Sequence, residues 1–196
     1  MNNWNLENKH ALVTGGSRGI GKAIVSELLE LGASIIFLAR DEKQIDAALQ
    51  SIGRRRVKAM AGDVTDVTFR GQVTHWIVQN WKVLDILVNN AGINIPKPSN
   101  EYTREEYRRI LDVNLIAPFE FSRDLFSRLN NSSSSAIVNI SSVAGSVDAK
   151  TGAPYGISKS GLQQLSRNLA AEWAPNNIRI CNTHTSAKNW LRYVSE

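Results

Sequence analysis

The stretch Leu12-Val13-Thr14-Gly15-Gly16-Ser17-Arg18-Gly19-Ile20-Gly21 constrains this chain more than any other. An apolar run of strand length (Ala11, Leu12, Val13) leads into a glycine-rich turn. The turn leads into a segment whose apolar positions Ile20, Ala23, Ile24, Leu28 and Leu31 recur with helical spacing. Glycines at 15, 19 and 21 let the backbone turn tightly, admit a pyrophosphate close to the main chain and let the helix pack on the strand. The helix N-terminus then offers unpaired N–H groups and a positive dipole end to phosphate. Taken alone, a glycine-rich turn is also the mark of an ordinary turn or cap, so its weight depends on the rest of the chain.

A second strand comes next. Ala33 to Ala39 is continuously apolar apart from Ser34, as in a strand covered on both faces, and Gly32 closes the preceding helix. A right-handed βαβ unit is complete by Arg40. An acidic residue at that strand end would accept hydrogen bonds from adenosine ribose hydroxyls. Arg40 instead puts a cation where a 2′-phosphate would lie, and Arg18 in the glycine turn reaches the same place. Singly, each arginine reads as a surface charge, whereas two at converging positions favour the phosphate. Asp41 either caps the next helix or weakens that preference.

The remaining chain continues the alternation. Asp41 to Ile52 is expected to be a helix, Val57 to Met60 the third strand, Asp66 to Trp81 a helix and Val83 to Val88 the fourth strand. Asp63, at the carboxyl end of a parallel strand, lies where ligands bind such sheets and is read either as an adenine contact or as a turn cap. Strand four runs into Asn89-Asn90-Ala91-Gly92, small residues that admit a ligand close to backbone. Thr103 to Leu129 is long enough for one helix, with Pro118 inside it. The proline leaves Asn114, four residues earlier, beside a carbonyl lacking its usual partner. A serine-rich loop precedes strand five, Ala136 to Ile140. Strand five ends at Ser141-Ser142, and Pro154 starts a helix carrying Tyr155 and Lys159.

With 196 residues, 42% of them hydrophobic, the chain can bury the core of a single α/β domain. One cysteine excludes an intrachain disulfide, and three scattered histidines give no metal-ligand spacing. The net charge of +5 arises from 23 basic residues interleaved with 18 acidic ones, a solvated surface rather than a nucleic-acid footprint; Arg54-Arg55-Arg56 is assigned to a turn. The opening Met1-Asn2-Asn3-Trp4-Asn5 lacks the basic start and apolar run of a signal peptide. No stretch reads as a membrane span, and the expected location is cytoplasmic.

Tyr155 and Lys159 are four residues apart and share a helix face, where a nearby ammonium favours phenolate over phenol. In isolation such a pair is an ordinary exposed one. Ser142 at the neighbouring strand end, able to hold a carbonyl oxygen, and the dinucleotide cradle turn it into an acid–base device.

With these motifs the chain resembles the short-chain dehydrogenase/reductase family. It carries Thr-Gly-x-x-x-Gly-x-Gly at Thr14–Gly21, Asn-Asn-Ala-Gly at Asn89–Gly92 and Tyr-x-x-x-Lys at Tyr155–Lys159, in matching order and spacing from about Leu6 to about Arg179. Trp4, Leu6 and Ala171-Glu172-Trp173-Ala174 are similar to tropinone reductase-like members. The resemblance implies a doubly wound parallel sheet of strand order 3-2-1-4-5-6, and a hydride passed between nicotinamide and a carbonyl or secondary alcohol. It casts Asn114 as holder of a relay water, Ser142 as the substrate-orienting hydroxyl, Tyr155 as general acid–base, and Lys159 as the residue that binds the nicotinamide ribose. Cofactor contacts are implied at Gly15, Ser17, Arg18, Gly19, Ile20 and Gly21, at Arg40, Asp63 and Val64, and at Asn90, Ala91 and Gly92, besides Tyr155 and Lys159. NADP(H) is expected over NAD(H). The partners expected are a small carbonyl or alcohol substrate and a second copy of the chain in a homodimer or homotetramer. That pairing would use the helices Thr103–Leu129 and Pro154–Ala174.

The pattern fails after strand six, read as Asn177 to Ile180. The family expects a turn over the nicotinamide, a substrate-binding lid and a last strand, whereas this chain has Cys181-Asn182-Thr183-His184 and ends at Glu196. The expected organisation is therefore a Rossmann domain over residues 1–180 with an atypical tail over 181–196, as in a truncated or alternatively ended product. The reading set against an active reductase is a weakly active or inactive relative that keeps cofactor binding and subunit association.

Overall fold

The computed structural model describes residues 5–183. Trp4, the polar opening residues before it, and the part of the expected tail from His184 onward lie outside that range. Six strands, β1 (His10–Thr14), β2 (Ser34–Ala39), β3 (Val57–Ala61), β4 (Ile86–Asn89), β5 (Ser135–Ile140) and β6 (Ile178–Thr183), form one parallel sheet in the order β3-β2-β1-β4-β5-β6. This is the expected doubly wound order. The sequence runs outward from β1 to β3, then returns to place β4 on the other side of β1, so the switch point falls between β1 and β4.

Strand periodicity divides the core in two. Ala11 and Val13 of β1, with Ile35 and Phe37 of β2, face one side and pack with α1 (Gly19–Glu30) and α2 (Glu42–Ile52). Leu12, Ile36 and Leu38 face the other side and meet α3 (Val67–Asn80), α5 (Ala117–Asp124) and α7 (Ala153–Trp173) through Val73, Phe121 and Leu169. Leu12, Phe37, Leu87 and Phe121 are almost fully buried, each adding about 1.5–3 kcal/mol to the drive for folding.

Caps set the helix ends. Asp41 accepts from Lys43 N (2.9 Å) and Gln44 N (3.2 Å), so its carboxylate caps α2, one of its two expected roles. Arg56, from the arginine run, reaches back to the carbonyls of Gly32 (2.6 Å) and Leu29 (3.1 Å) at the end of α1.

Two expectations change. The segment Thr103–Leu129 is not one helix but α4 (Arg104–Leu111), a π-helical turn (Asp112–Ile116), α5 and α6 (Phe126–Asn130), with a break at Leu125. Pro118 has no N–H to return to the carbonyl of Asn114, and the wider turn immediately before it absorbs the mismatch. Strand six also runs three residues past its expected end. Cys181, Asn182 and Thr183 pair in register with Val138, Asn139 and Ile140. The polar Asn182 is accommodated because Ser166 of α7 donates to it at 2.7 Å.

Candidate active site

The glycine turn sits at the carboxyl end of β1. Gly15 has φ +69°, which favours glycine. At Gly21 a Cβ would lie 2.1 Å from the Gly15 carbonyl oxygen and 2.4 Å from Asn90 Nδ2, so only glycine allows α1 this close to the β4 end. Asn90 fastens the two strand ends together. Its amide donates to the carbonyls of Thr14 (2.9 Å) and Gly15 (3.0 Å), while Thr14 Oγ1 accepts the N–H groups of Asn90 and Ala91, each at 3.0 Å. Arg18, the residue before α1, makes no side-chain cap, so the helix start is left without a side-chain acceptor, as an anion site requires.

A cavity of about 470 Å³ opens over this turn. Every residue expected to contact the dinucleotide lines it, apart from Tyr155 and Lys159. Arg18 and Arg40 are exposed at its rim, and among the described residues neither has a carboxylate partner. Asp63 lines it as well. Its carboxylate accepts from Thr65 N (2.9 Å), Thr65 Oγ1 (2.8 Å) and Arg109 Nη2. Burial pulls this carboxyl upward, but the Thr65 and Arg109 bonds outweigh it and hold Asp63 below the usual carboxylate range.

The second group of residues meets where the cavity ends at Gly92 and Ile93. A Cβ on Gly92 would lie 3.4 Å from Asn114 Oδ1 and 3.6 Å from Lys159 Nζ. Lys159 is 4% exposed and donates to the Ile140 carbonyl at 2.8 Å, and its Nζ lies 5.7 Å from the centre of the Tyr155 ring. Burial lowers its ammonium from the ordinary 10.5 to about 8. Asn114 makes three side-chain hydrogen bonds: its Oδ1 accepts Ile93 N (2.8 Å), and its Nδ2 donates to Ile93 O (2.9 Å) and Ser158 Oγ (3.0 Å). The side-chain amide therefore fixes the loop after β4 against α7.

Ser142 lies two residues beyond the carboxyl end of β5, where it caps the turn Val143–Gly145. Its Oγ accepts Ala144 N at 3.2 Å, which leaves the hydroxyl proton to donate. The loop that carries it is latched by Gln163 of α7, whose Nε2 donates to Ser141 Oγ and Ser142 O, both at 3.2 Å. A wider hollow of about 910 Å³ lies between Pro96–Ser99 and Ala144–Ala153.

The short chain dehydrogenase family model matches residues 9–187. This chain belongs to the short-chain dehydrogenase/reductase family. A tropinone reductase homolog of Arabidopsis thaliana is 42% identical over 180 residues, covering 90% of this chain and 68% of its own length. Senescence-associated protein 13 of the same plant is 41% identical over 179 residues, 90% of this chain and 66% of its own length. A solved short-chain dehydrogenase from Streptomyces avermitilis superposes with a TM-score of 0.84 at 31% identity, over 90% of this chain and 64% of that one. The chain spans about two thirds of the length of these relatives.

As a short-chain dehydrogenase/reductase of the tropinone reductase-like group, the protein is an oxidoreductase of a family that uses a nicotinamide cofactor. The cradle fits such a group: a helix end without a side-chain cap, a glycine that lets α1 approach the end of β4, and a cavity over both that reaches Gly92, next to Lys159. No described helix is long and apolar enough to cross a membrane. Sequence reasoning missed Thr14, Ser158, Gln163 and Arg109. Thr14 stands inside the glycine motif, and the expected pairing of β1 with β4 was the signal for it. Arg109 and Gln163 act on residues distant in sequence and left no local trace.

Proposed function

We propose that this chain is an NADP(H)-dependent reductase of carbonyl compounds, or a dehydrogenase of the corresponding secondary alcohols. The observation that carries the reading is the buried Lys159 ammonium facing the Tyr155 ring beside Gly92, which lines the dinucleotide cavity. Bound NADPH would supply a hydride to the carbonyl carbon. Tyr155 gives its phenolic proton to the carbonyl oxygen, and Ser142 holds that oxygen with the hydroxyl proton left free by its bond from Ala144 N. Lys159, with its ammonium brought down to about 8, holds the nicotinamide ribose and returns a proton to Tyr155. A water on the Asn114 backbone carbonyl extends that relay. Its side chain, tied to Ile93 and Ser158, positions the carbonyl.

Preference for NADP(H) is supported by Arg18 and Arg40 at the cavity rim, with the Asp41 carboxylate engaged by the N–H groups that begin α2 and not by either arginine. Pairing of two chains in a dimer or tetramer is supported by the exposed Tyr107 and Ile116 on the α4–α5 segment and Ile157 on α7. A cytoplasmic location fits chemistry that draws on a diffusible cofactor.

Titration with NADPH and NADH, followed by nicotinamide and tryptophan fluorescence, tests the reading. NADPH should bind at least tenfold more tightly, and R18A together with R40A should remove that preference. Tighter NADH binding would overturn the role of the two arginines, and binding of neither cofactor would overturn the reading itself. NADPH binding without turnover of any ketone would favour the non-catalytic relative.

A further inference from the structure

Arg109 belongs to no motif, yet it projects from α4, five residues before Asn114, and lines the far side of the cavity from the glycine turn. Its guanidinium is a fork: Nη1 donates to Thr65 Oγ1 at 2.6 Å and Nη2 to Asp63 Oδ2. We propose that Arg109 is a positioning residue that fixes the Asp63 carboxylate as the acceptor for the exocyclic amino group of the cofactor's adenine. The proposal rests on the dinucleotide reading of the cavity.

Placement supports it. With pyrophosphate at Gly15–Gly21 and a 2′-phosphate at Arg18 and Arg40, the base must lie across the carboxyl ends of β2 and β3, against Leu38 and Val64 and beside Asp63. Counting acceptor sites supports it further. An ionised carboxylate has about four lone-pair positions. On Asp63, a residue that lines the cavity, Oδ1 takes both Thr65 donors and Oδ2 takes one from Arg109, so one position on Oδ2 remains. Arg109 also neutralises a charge that would otherwise repel a phosphorylated ligand. Without the guanidinium, the carboxylate is held through Oδ1 by Thr65 alone, and the direction of the remaining acceptor on Oδ2 is less tightly fixed.

The test is discrimination between NADPH and its hypoxanthine analogue, which carries a 6-oxo group in place of the 6-amino group. Dissociation constants come from nicotinamide fluorescence, with circular dichroism to check folding. Wild type should bind NADPH about tenfold more tightly than the analogue, as expected for one hydrogen bond to a charged acceptor. R109Q should bind the analogue as wild type does within about twofold, while losing most of the preference for adenine. D63N should behave similarly. R109K retains the charge without the fork and should fall between, and it serves as the test if R109Q does not fold. Equal binding of both cofactors by wild type, or an R109Q variant that keeps the full preference, overturns the role of Arg109 while leaving the dinucleotide reading intact. Failure of wild type to bind either cofactor overturns that reading instead.

Discussion

Replacing Lys159 by methionine should flatten a specific part of the pH dependence of stability. The Lys159 ammonium is 4% exposed and sits at about 8 instead of 10.5 because burial disfavours its charged form. Below about pH 8 both folded and unfolded chains carry the proton, and the folded state bears the full desolvation burden. Between about 8 and 10.5 the unfolded chain binds more protons at this site than the folded one, so stability rises with pH; above 10.5 the burden is gone. At about 1.4 kcal/mol per pH unit, the interval from 10.5 to about 8 corresponds to roughly 3 kcal/mol. K159M fills the same space with an unbranched apolar chain and has no proton to lose. Urea unfolding of wild type and variant, followed by tryptophan fluorescence at pH 7.5, 9 and 10.5, isolates the lysine. Other groups titrating in that range, including Cys181, which burial raises to about 11, are common to both chains and cancel in the difference. The stability of wild type relative to K159M should increase by roughly 3 kcal/mol from the lowest to the highest pH. A difference that stays constant within about 0.5 kcal/mol would refute the buried-ammonium argument.

Two further substitutions probe the strand ends that carry the cradle. G21A puts a methyl group against the Gly15 carbonyl and Asn90 Nδ2, at 2.1 and 2.4 Å. It should cost about 1–3 kcal/mol of stability and weaken NADPH binding at least tenfold by displacing α1 from the phosphate site; thermal melts and fluorescence titration measure both, and unchanged affinity would remove Gly21 from the cradle. T14V keeps the shape but leaves the N–H groups of Asn90 and Ala91 without their acceptor, a loss of about 2–4 kcal/mol in urea unfolding. T14S should restore most of it, and equal stability of T14V and wild type would show that the bridge between β1 and β4 contributes little.

Why some of this is legible in the chain and some is not comes down to sequence distance. The alternation of apolar runs and glycine turns specifies β1 to β5 and their order, because each βα unit is a local pattern and the right-handed crossover leaves few topologies. Tyr155 and Lys159 share one helix turn, so their proximity is readable without any fold. The division of Thr103–Leu129 is half visible. Pro118 announces a disturbance at Asn114, but a π turn and the break at Leu125 carry no periodic signature. Strand six reads as finished at Ile180 because Cys181-Asn182-Thr183 is polar. The hydrogen bond that lets Asn182 enter the sheet comes from Ser166, sixteen residues earlier. For Asp63 the sequence allows both a ligand contact and a turn cap, and the structure shows it capping Thr65 while also lining the cavity. Its hold by Arg109 spans 46 residues and only the fold brings the two together.

The central claim is that Tyr155 carries the proton of an NADPH-dependent carbonyl reduction. It is tested most directly by NADPH oxidation at saturating cofactor across a panel of small cyclic and aromatic ketones, comparing wild type with Y155F. The predicted result is turnover in wild type that falls at least a hundredfold in Y155F, with the NADPH dissociation constant of the variant unchanged. Retained turnover in Y155F would contradict the assignment.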